Sequence, residues 1–178
     1  SIFVEGLEHN KIIFANGRVE KVDFIHEDHD TIEINDNFKF VNGLENNNSL
    51  LFLNNAFTNK CYKITVKKDY SLKKPLVVYH STNNKIKSRN INLRLEFQLE
   101  KNSSLRLIDQ FNDQAENNFI NIFYNFDLKE NAILKNYKID NVQNKNIRYL
   151  YNNIEQDNNS VSETFVLSSG SNFKKNEI

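Results

Sequence analysis

The segment FIHEDHD, residues 24–30, places two histidines among three carboxylates. His26 and His29 are separated by Glu27 and Asp28. Imidazole nitrogens and carboxylate oxygens are ligands that zinc and iron accept in proteins. A metal requires converging ligands, however, and His26 and His29 would point to opposite faces of a strand. We therefore interpret the segment as a solvated acidic loop, with a metal site as the alternative hypothesis.

Cys61 is the only cysteine, so a disulfide within the chain is excluded and we expect a reducing compartment. The neighbouring Lys60 and Lys63 would favour its thiolate, which makes Cys61 a candidate cluster ligand or sulfur carrier. A single free cysteine is more often a small packed side chain. Both interpretations of Cys61 stay open from the sequence.

Paired carboxylates form a third candidate site. Asp109, Gln110, Asp113 and Glu116 could imitate the acid pair of a polysaccharide-cleaving β-helix. They fall in DQFNDQAENN, residues 109–118, which we interpret as a connecting loop with solvated side chains. The chain also lacks a P-loop, a G-x-G-x-x-G segment, a C-x-x-C pair and a G-x-S-x-G elbow.

Two further histidines, His80 and His9, are not assigned to a site. His80 has the same strand parity as Leu76 and Val78, so we expect it in the core or at a corner between strands. His9 lies in a polar stretch and indicates nothing.

The composition excludes several classes of partner. Among the 178 residues, Lys plus Arg and Asp plus Glu both number 23, which predicts no binding to nucleic acid or an anionic membrane. No run of about 18 apolar residues could span a membrane. Aromatic residues make up 12%, so the chain should fold. It begins at Ser1 without Met and stops at Ile178 after a strand-like stretch, and we expect both ends to be cut.

Three segments alternate apolar and polar residues with a period of two, which is typical of strands with one buried face. In residues 91–100 the predicted inward side chains are Ile91, Leu93, Leu95, Phe97 and Leu99. In residues 120–129 they are Ile120, Ile122, Tyr124, Phe126 and Leu128. A shorter copy has Tyr62, Ile64 and Val66 inward.

An Asp or Asn stands three residues before an apolar residue at four corners: Asp69, Asn102, Asn131 and Asn158. The spacings are 33, 29 and 27 residues. Asp and Asn suit such corners because they bond nearby backbone and tolerate the left-handed conformation. A drifting repeat with period-two strands predicts a β-solenoid or a meander, and not a helical repeat.

The beginning of the chain follows a different pattern. Residues 10–24 predict a β-hairpin with a turn at Asn16 and Gly17, and residues 31–43 predict a second hairpin. The apolar run of residues 48–59 predicts a short helix. We therefore expect residues 1–50 to be lead-in hairpins and residues 51–178 to be the first turns of a truncated solenoid core.

Six stretches, in this order, resemble the SufB/SufD family of iron–sulfur cluster assembly proteins, and more closely its SufD branch. They are IIFANGRVEK, FLNNAF, ITVKKDYSLKKPLVVYH, LEKNSSLRLIDQF, LKENAILKNYKI and TFVLSSGSNFKKNEI. The order and spacing carry the resemblance, which covers nearly the whole chain. Lys175 departs from the family, which usually has Arg there.

The resemblance implies an all-β fold with a right-handed parallel β-helix core. It also implies that a SufD-like protein pairs with a SufB-like paralogue and that each binds a SufC-like ABC-type ATPase. The full complex builds a nascent iron–sulfur cluster. The histidine proposed as the SufD ligand and the ATPase-binding region both belong to the C-terminal part of the family. The resemblance stops before that part, so no cofactor or ligand is assigned to a residue of this chain.

We therefore expect a non-catalytic scaffold subunit, located in the cytoplasm or in a plastid-type organelle. The alternative is a β-solenoid that binds or cleaves carbohydrate. A jelly-roll or cupin-like sandwich also joins many short strands. A cupin would need a histidine-rich motif, and none of the four histidines has that spacing.

Overall fold

Two mostly parallel sheets wind into a β-solenoid of about four turns, as the sequence predicted. The computed structural model describes residues 4–38, 48–58, 60–83, 89–140, 144–169 and 171–178. The strands are β1 (Asn10–Ala15), β2 (Arg18–Asp23), β3 (Ile32–Phe38), β4 (Cys61–Val66), β5 (Leu76–Thr82), β6 (Asn90–Leu99), β7 (Ser104–Asp113), β8 (Phe119–Leu128), β9 (Ile133–Asp140), β10 (Asn144–Gln156), β11 (Val161–Ser168) and β12 (Ser171–Glu177). One helix, α1 (Ser49–Phe57), lies between β3 and β4.

From β4 onwards, successive strands alternate between two six-stranded sheets, and the core lies between them. Sheet A has the spatial order β11-β9-β7-β5-β1-β2, and sheet B has the order β12-β10-β8-β6-β4-β3. The predicted inward residues of β4, β6 and β8 are all buried, which confirms their alternation. Leu99, for example, has no exposed surface and stands in register between Val66 and Leu128.

The predicted first hairpin is confirmed, and it closes sheet A. Strands β1 and β2 pair antiparallel, and β1 also pairs in parallel with β5. Asn16 and Gly17 have φ of 51° and 78°, the left-handed geometry of a tight two-residue turn. Residues of the predicted lead-in are therefore part of the sheet itself.

The second predicted hairpin falls partly outside the described residues. Residues 32–38 form the single strand β3, which pairs antiparallel with β4 and closes sheet B. The rest of that prediction, residues 39–43, lies where the structure gives no description.

Gly17 combines a left-handed backbone with a close neighbour. A Cβ at this position would lie 2.9 Å from Ile91 Cγ2, whereas a Cβ at Gly6, with φ of 73°, would meet nothing within 4 Å. We expect Gly6→Ala to cost about 1 kcal/mol, the backbone penalty alone. Gly17→Ala should cost about 1–3 kcal/mol more, because Ile91 must move. Urea unfolding of the two variants measures the difference, and equal losses would show that the contact with Ile91 is not felt.

The predicted short helix is also confirmed. Asn48 caps its first turn, with Oδ1 accepting from the backbone N–H groups of Leu50 (3.0 Å) and Leu51 (3.4 Å). The buried Asn54 donates to the carbonyl oxygen of Asn121 at 2.9 Å. Helix α1 therefore covers the outer face of sheet B, where Leu51 packs with Phe123 and Tyr149.

Three of the four predicted corners are confirmed, and one was misplaced. Asp69, Asn102 and Asn131 have φ of 60°, 59° and 59°. In the fourth corner the left-handed residue is Asn159, with φ of 58°, and not Asn158. Two adjacent asparagines fit the pattern almost equally well, and the one-residue error made Val161 the apolar residue that follows the corner. The residue aligned with Leu134 is Ser162, and the side chain of Val161 is exposed.

Candidate functional site

The interior of the solenoid changes from apolar to charged along its axis. In sheet A, Val78, Asp109 and Lys138 follow one another in register on the inward face. In sheet B, the corresponding inward column runs from Ile120 to Arg148 and Lys174. We call the buried cluster the interior charge cluster; its members are His80, Asp109, Asp113, Tyr124, Lys138, Asp140, Arg148 and Lys174.

Asp109 is the centre of the first half of this cluster. Its Oδ2 accepts a hydrogen bond from Lys138 Nζ at 2.9 Å, and neither side chain is more than 2% exposed. Its Oδ1 accepts from the Tyr124 hydroxyl at 2.9 Å and lies 3.2 Å from His80 Nε2. The His80 ring is stacked on Phe111, with the ring centres 4.8 Å apart. The prediction that His80 lies in the core is confirmed.

The charges of this half are set by burial and by the ion pair. Burial opposes ionisation of Asp109, but the ammonium group of Lys138 and the contact with His80 outweigh it and lower the pKa of Asp109 to about 2. Burial lowers the pKa of Lys138, and the charge of Asp109 opposes that change. The pKa of Tyr124 is raised well above its ordinary value by burial and then by the nearby carboxylate.

The second half of the cluster alternates positive and negative groups. Arg148 forms ion pairs with Asp113 and Asp140, and its guanidinium lies over the ring of Phe111 at 4.5 Å. Lys174 Nζ lies 3.0 Å from Asp140 Oδ2. Burial lowers the pKa of Arg148, whereas burial and the charge of Arg148 lower the pKa of Lys174 to about 8.

The interior charge cluster holds its charged side chains in fixed positions, with carboxylates and cations in pairs. A small cavity beside it is lined by Lys138, Asp140, Arg148 and Lys174. A cavity with several polar walls of this kind can bind a water molecule. Each carboxylate of the cluster faces a cation, so its charges are balanced within the protein.

The interpretation of residues 109–118 as a connecting loop was wrong for its first half. Asp109, Gln110 and Asp113 belong to β7, and both acids are buried. Only Glu116 lies in the connection, where it is exposed and 3.7 Å from Lys145. The alternation of Leu105, Leu107, Asp109 and Phe111 was the missed signal. An inward acid in an otherwise apolar column marks the cluster.

The carboxyl group of Glu27 fixes the histidine-containing segment. It accepts from Asn10 Nδ2 (2.6 Å), the Tyr70 hydroxyl (2.8 Å) and the backbone N–H groups of Lys73 (3.0 Å) and Lys74 (3.1 Å). Although burial opposes ionisation, these bonds lower the pKa of Glu27. Through Glu27 the segment is therefore hydrogen-bonded to the turn that precedes β5, at Lys73 and Lys74.

The histidines themselves are not brought together around a metal position. The segment is a turn between β2 and β3, and not a strand, and His29 forms an exposed contact of 2.6 Å with Asp30. Within the described ranges, no group of three or more His, Cys, Asp or Glu side chains is placed to hold a metal ion.

Cys61 is half-buried at the start of β4, in register with Arg94 of β6. The lysines expected to favour its thiolate are paired with carboxylates. Lys60 lies 3.1 Å from Asp36, and Lys63 lies 2.8 Å from Glu96. Across the sheet the thiol of Cys61 interacts electrostatically with the guanidinium of Arg94.

Because Asp109 is ionised in the folded protein, we expect the free energy of unfolding to decrease at low pH. Its folded pKa of about 2 lies below the ordinary value of 3.8, so its stabilisation is present above pH 4 and is lost as the pH falls to 2. The loss should be about 2 kcal/mol. Urea unfolding between pH 5 and pH 2 measures it. The double variant Asp109→Leu/Lys138→Met should lose about 2 kcal/mol less over this range, and an identical pH dependence would contradict the assignment.

Comparison with protein families identifies the chain. Residues 78–178 match the family described as SUF system FeS cluster assembly, SufBD core domain. The match covers more than half of the chain and includes every member of the interior charge cluster. Comparison with curated proteins found no match. In the part of the chain that the structure describes, no helix is long and apolar enough to cross a membrane. The chain belongs to the SufBD core domain family of the SUF iron–sulfur cluster assembly system.

Proposed function

We propose that this chain is a SufD-type scaffold subunit, without catalysis of its own, in iron–sulfur cluster assembly by the SUF system. In this proposal it pairs with a SufB-like paralogue and binds a SufC-like ATPase. The observation that carries the proposal is the family match across residues 78–178, on a parallel solenoid. The ordered resemblance of six stretches to the SufD branch supports the finer assignment.

The geometry supports a scaffold in two further ways. A solenoid hydrogen-bonds each turn to the next and so presents long, rigid faces to partners. The interior charge cluster ties strands together through ion pairs. Lys138 of β9 is paired with Asp109 of the neighbouring strand β7, and Arg148 of β10 in sheet B is paired with Asp113 of β7 in sheet A. In this proposal the nascent cluster is the cargo of the assembly. A cytoplasmic location is part of the proposal and is supported by the single cysteine, Cys61.

The carbohydrate alternative has less support. Its two best acids, Asp109 and Asp113, have side chains at most 1% exposed and are paired with cations, so they are closed to a glycan.

The proposal is tested with the full-length protein, tagged and co-expressed with the SufB-like and SufC-like proteins of the same genome. We expect the three proteins to co-elute in gel filtration. We expect the SufB-like protein, and not the tagged protein alone, to take up a cluster in anaerobic reconstitution followed by absorption spectroscopy. A tagged protein that binds neither partner would refute the scaffold role. A tagged protein that takes up a cluster alone would refute the SufD-type assignment.

A further inference from the structure

The outer face of sheet A carries two apolar rows that run across its strands. In the first row Ile108, Tyr137 and Phe165 are paired in register on β7, β9 and β11. In the second row Ile139 of β9 pairs with Leu167 of β11. We call these residues the outer patch: Ile108, Tyr137, Ile139, Phe165 and Leu167.

The outer patch is exposed on an interior strand of sheet A as well as on its edge strand, β11. Phe165 and Leu167 are 57% and 51% exposed on β11. Tyr137 is still 37% exposed, although β9 is hydrogen-bonded to β7 on one side and to β11 on the other. Contiguous apolar patches of this kind on a protein surface usually mark an interaction site.

The same two rows are covered where they continue towards β5. The first row leads from Ile108 to Val77, and the second leads through Gln110 to Tyr79. Val77 and Tyr79 are at most 1% exposed. The N-terminal segment lies over this end, since the backbone N–H of Val4 donates to the Tyr79 hydroxyl at 3.1 Å. The apolar rows thus extend beyond the part of the face that the described residues cover.

The dimensions of the outer patch suit a helix. Its two rows are about 7 Å apart along the strands, and its three strands span about 10 Å. A helix is about 10 Å wide, whereas a stable dimer buries about 800 Å² on each partner, far more than this patch offers. Sheet B shows the equivalent arrangement within the molecule, because Leu51 of α1 packs on Phe123 and Tyr149 of two neighbouring strands.

Charges beside the outer patch define the chemistry of that helix. A third row, directly next to the first, consists of Arg106, Lys135 and Glu163 in register. Lys135 lies 3.2 Å from Glu163, so the row carries one net positive charge, and Arg106 is exposed. A helix with carboxylates on this flank would complement the row.

We propose that the outer patch binds an amphipathic helix of another protein chain. Its apolar stripe would lie on Tyr137 and Phe165, and its acidic flank would face Arg106 and Lys135. This inference goes beyond the SufD-type assignment and holds for any subunit that supplies the helix.

Site-specific photo-crosslinking tests the proposal. Phe165 is replaced by a photoreactive phenylalanine analogue in the full-length protein, co-expressed with the other proteins of its assembly. We expect mass spectrometry to find the crosslink on a helix of another chain with an apolar stripe and acidic flank. Lys101, exposed in a corner turn and paired with Glu130, is the control position and should give no such product. A crosslink to this same chain, to a second copy or to a non-helical segment, or no crosslink above the control, would overturn the proposal.

Two variants separate binding from folding. Tyr137→Asp should lower the crosslink yield at least about tenfold without changing the melting temperature by more than about 2 °C, since the side chain faces outward. Lys135→Glu should lower the yield by about threefold to tenfold, and more at low salt, through repulsion of the acidic flank. An unchanged yield in both variants would refute binding at the outer patch.

Discussion

Replacement of Leu99 by Asp is expected to unfold the solenoid. Leu99 is fully buried, in the same inward column as Val66 and Leu128. A carboxyl group there would have no partner, and burying an unpaired polar or charged group costs several kcal/mol. That is comparable with the whole stability of a typical domain, about 5–15 kcal/mol. Circular dichroism and urea unfolding should show loss of the cooperative transition or a midpoint far below that of the parent.

Ile133→Asp is the matched control, because it makes the same chemical change on an outward, 41% exposed position of β9. It should change the free energy of unfolding by about 1 kcal/mol or less. If Leu99→Asp were tolerated as well as Ile133→Asp, the inward assignment of the β6 column would be wrong.

Asp109→Asn is expected to have the second largest effect. The substitution preserves shape but removes the negative charge that faces the buried ammonium group of Lys138 at 2.9 Å. Breaking a buried pair from one side costs about 3–5 kcal/mol, because the remaining charge is left without compensation. Urea unfolding at pH 7 measures this loss.

Two comparisons identify the cause of that loss. Glu130→Gln makes the equivalent change in the surface pair with Lys101, whose side chains are 46% and 45% exposed, and it should cost about 0.5 kcal/mol or less. The double variant Asp109→Leu/Lys138→Met replaces both charges with apolar groups and should recover most of the stability. If the double variant were no more stable than Asp109→Asn, the uncompensated Lys138 would not be the cause.

Period-two alternation predicted the core strands well, because an inward apolar column is written directly in the sequence. It failed where a charged residue takes an inward position. Asp109 and Asp113 looked like loop acids because polarity alone was used to place them, although the parity of Leu105 and Leu107 continues through both. Their partners Lys138 and Arg148 lie 29 and 35 residues further along the chain, a distance over which no local pattern reports a contact.

The predictions also missed what covers the outer face of sheet B. Residues 120–129 alternate, yet the outward Asn121 and Phe123 are buried too, because α1 lies on them. The pairing of β1 with β5 was equally invisible, since it joins segments more than sixty residues apart. Corner residues were predictable to within one position, because Asp and Asn are needed there for their left-handed backbone.

The ion pairs of the interior charge cluster make successive turns of the solenoid depend on one another. Lys138 of β9 finds its counter-charge on β7, and Lys174 of β12 finds its own on β9. A turn that packed without its neighbour would bury a charge without its partner, at a cost of several kcal/mol. We therefore expect β7, β9 and β12 to acquire protection together in pulsed hydrogen exchange during refolding, and clearly separate phases would refute this. Buried charges shared between turns would thus make a stack of similar units fold and unfold as one cooperative body.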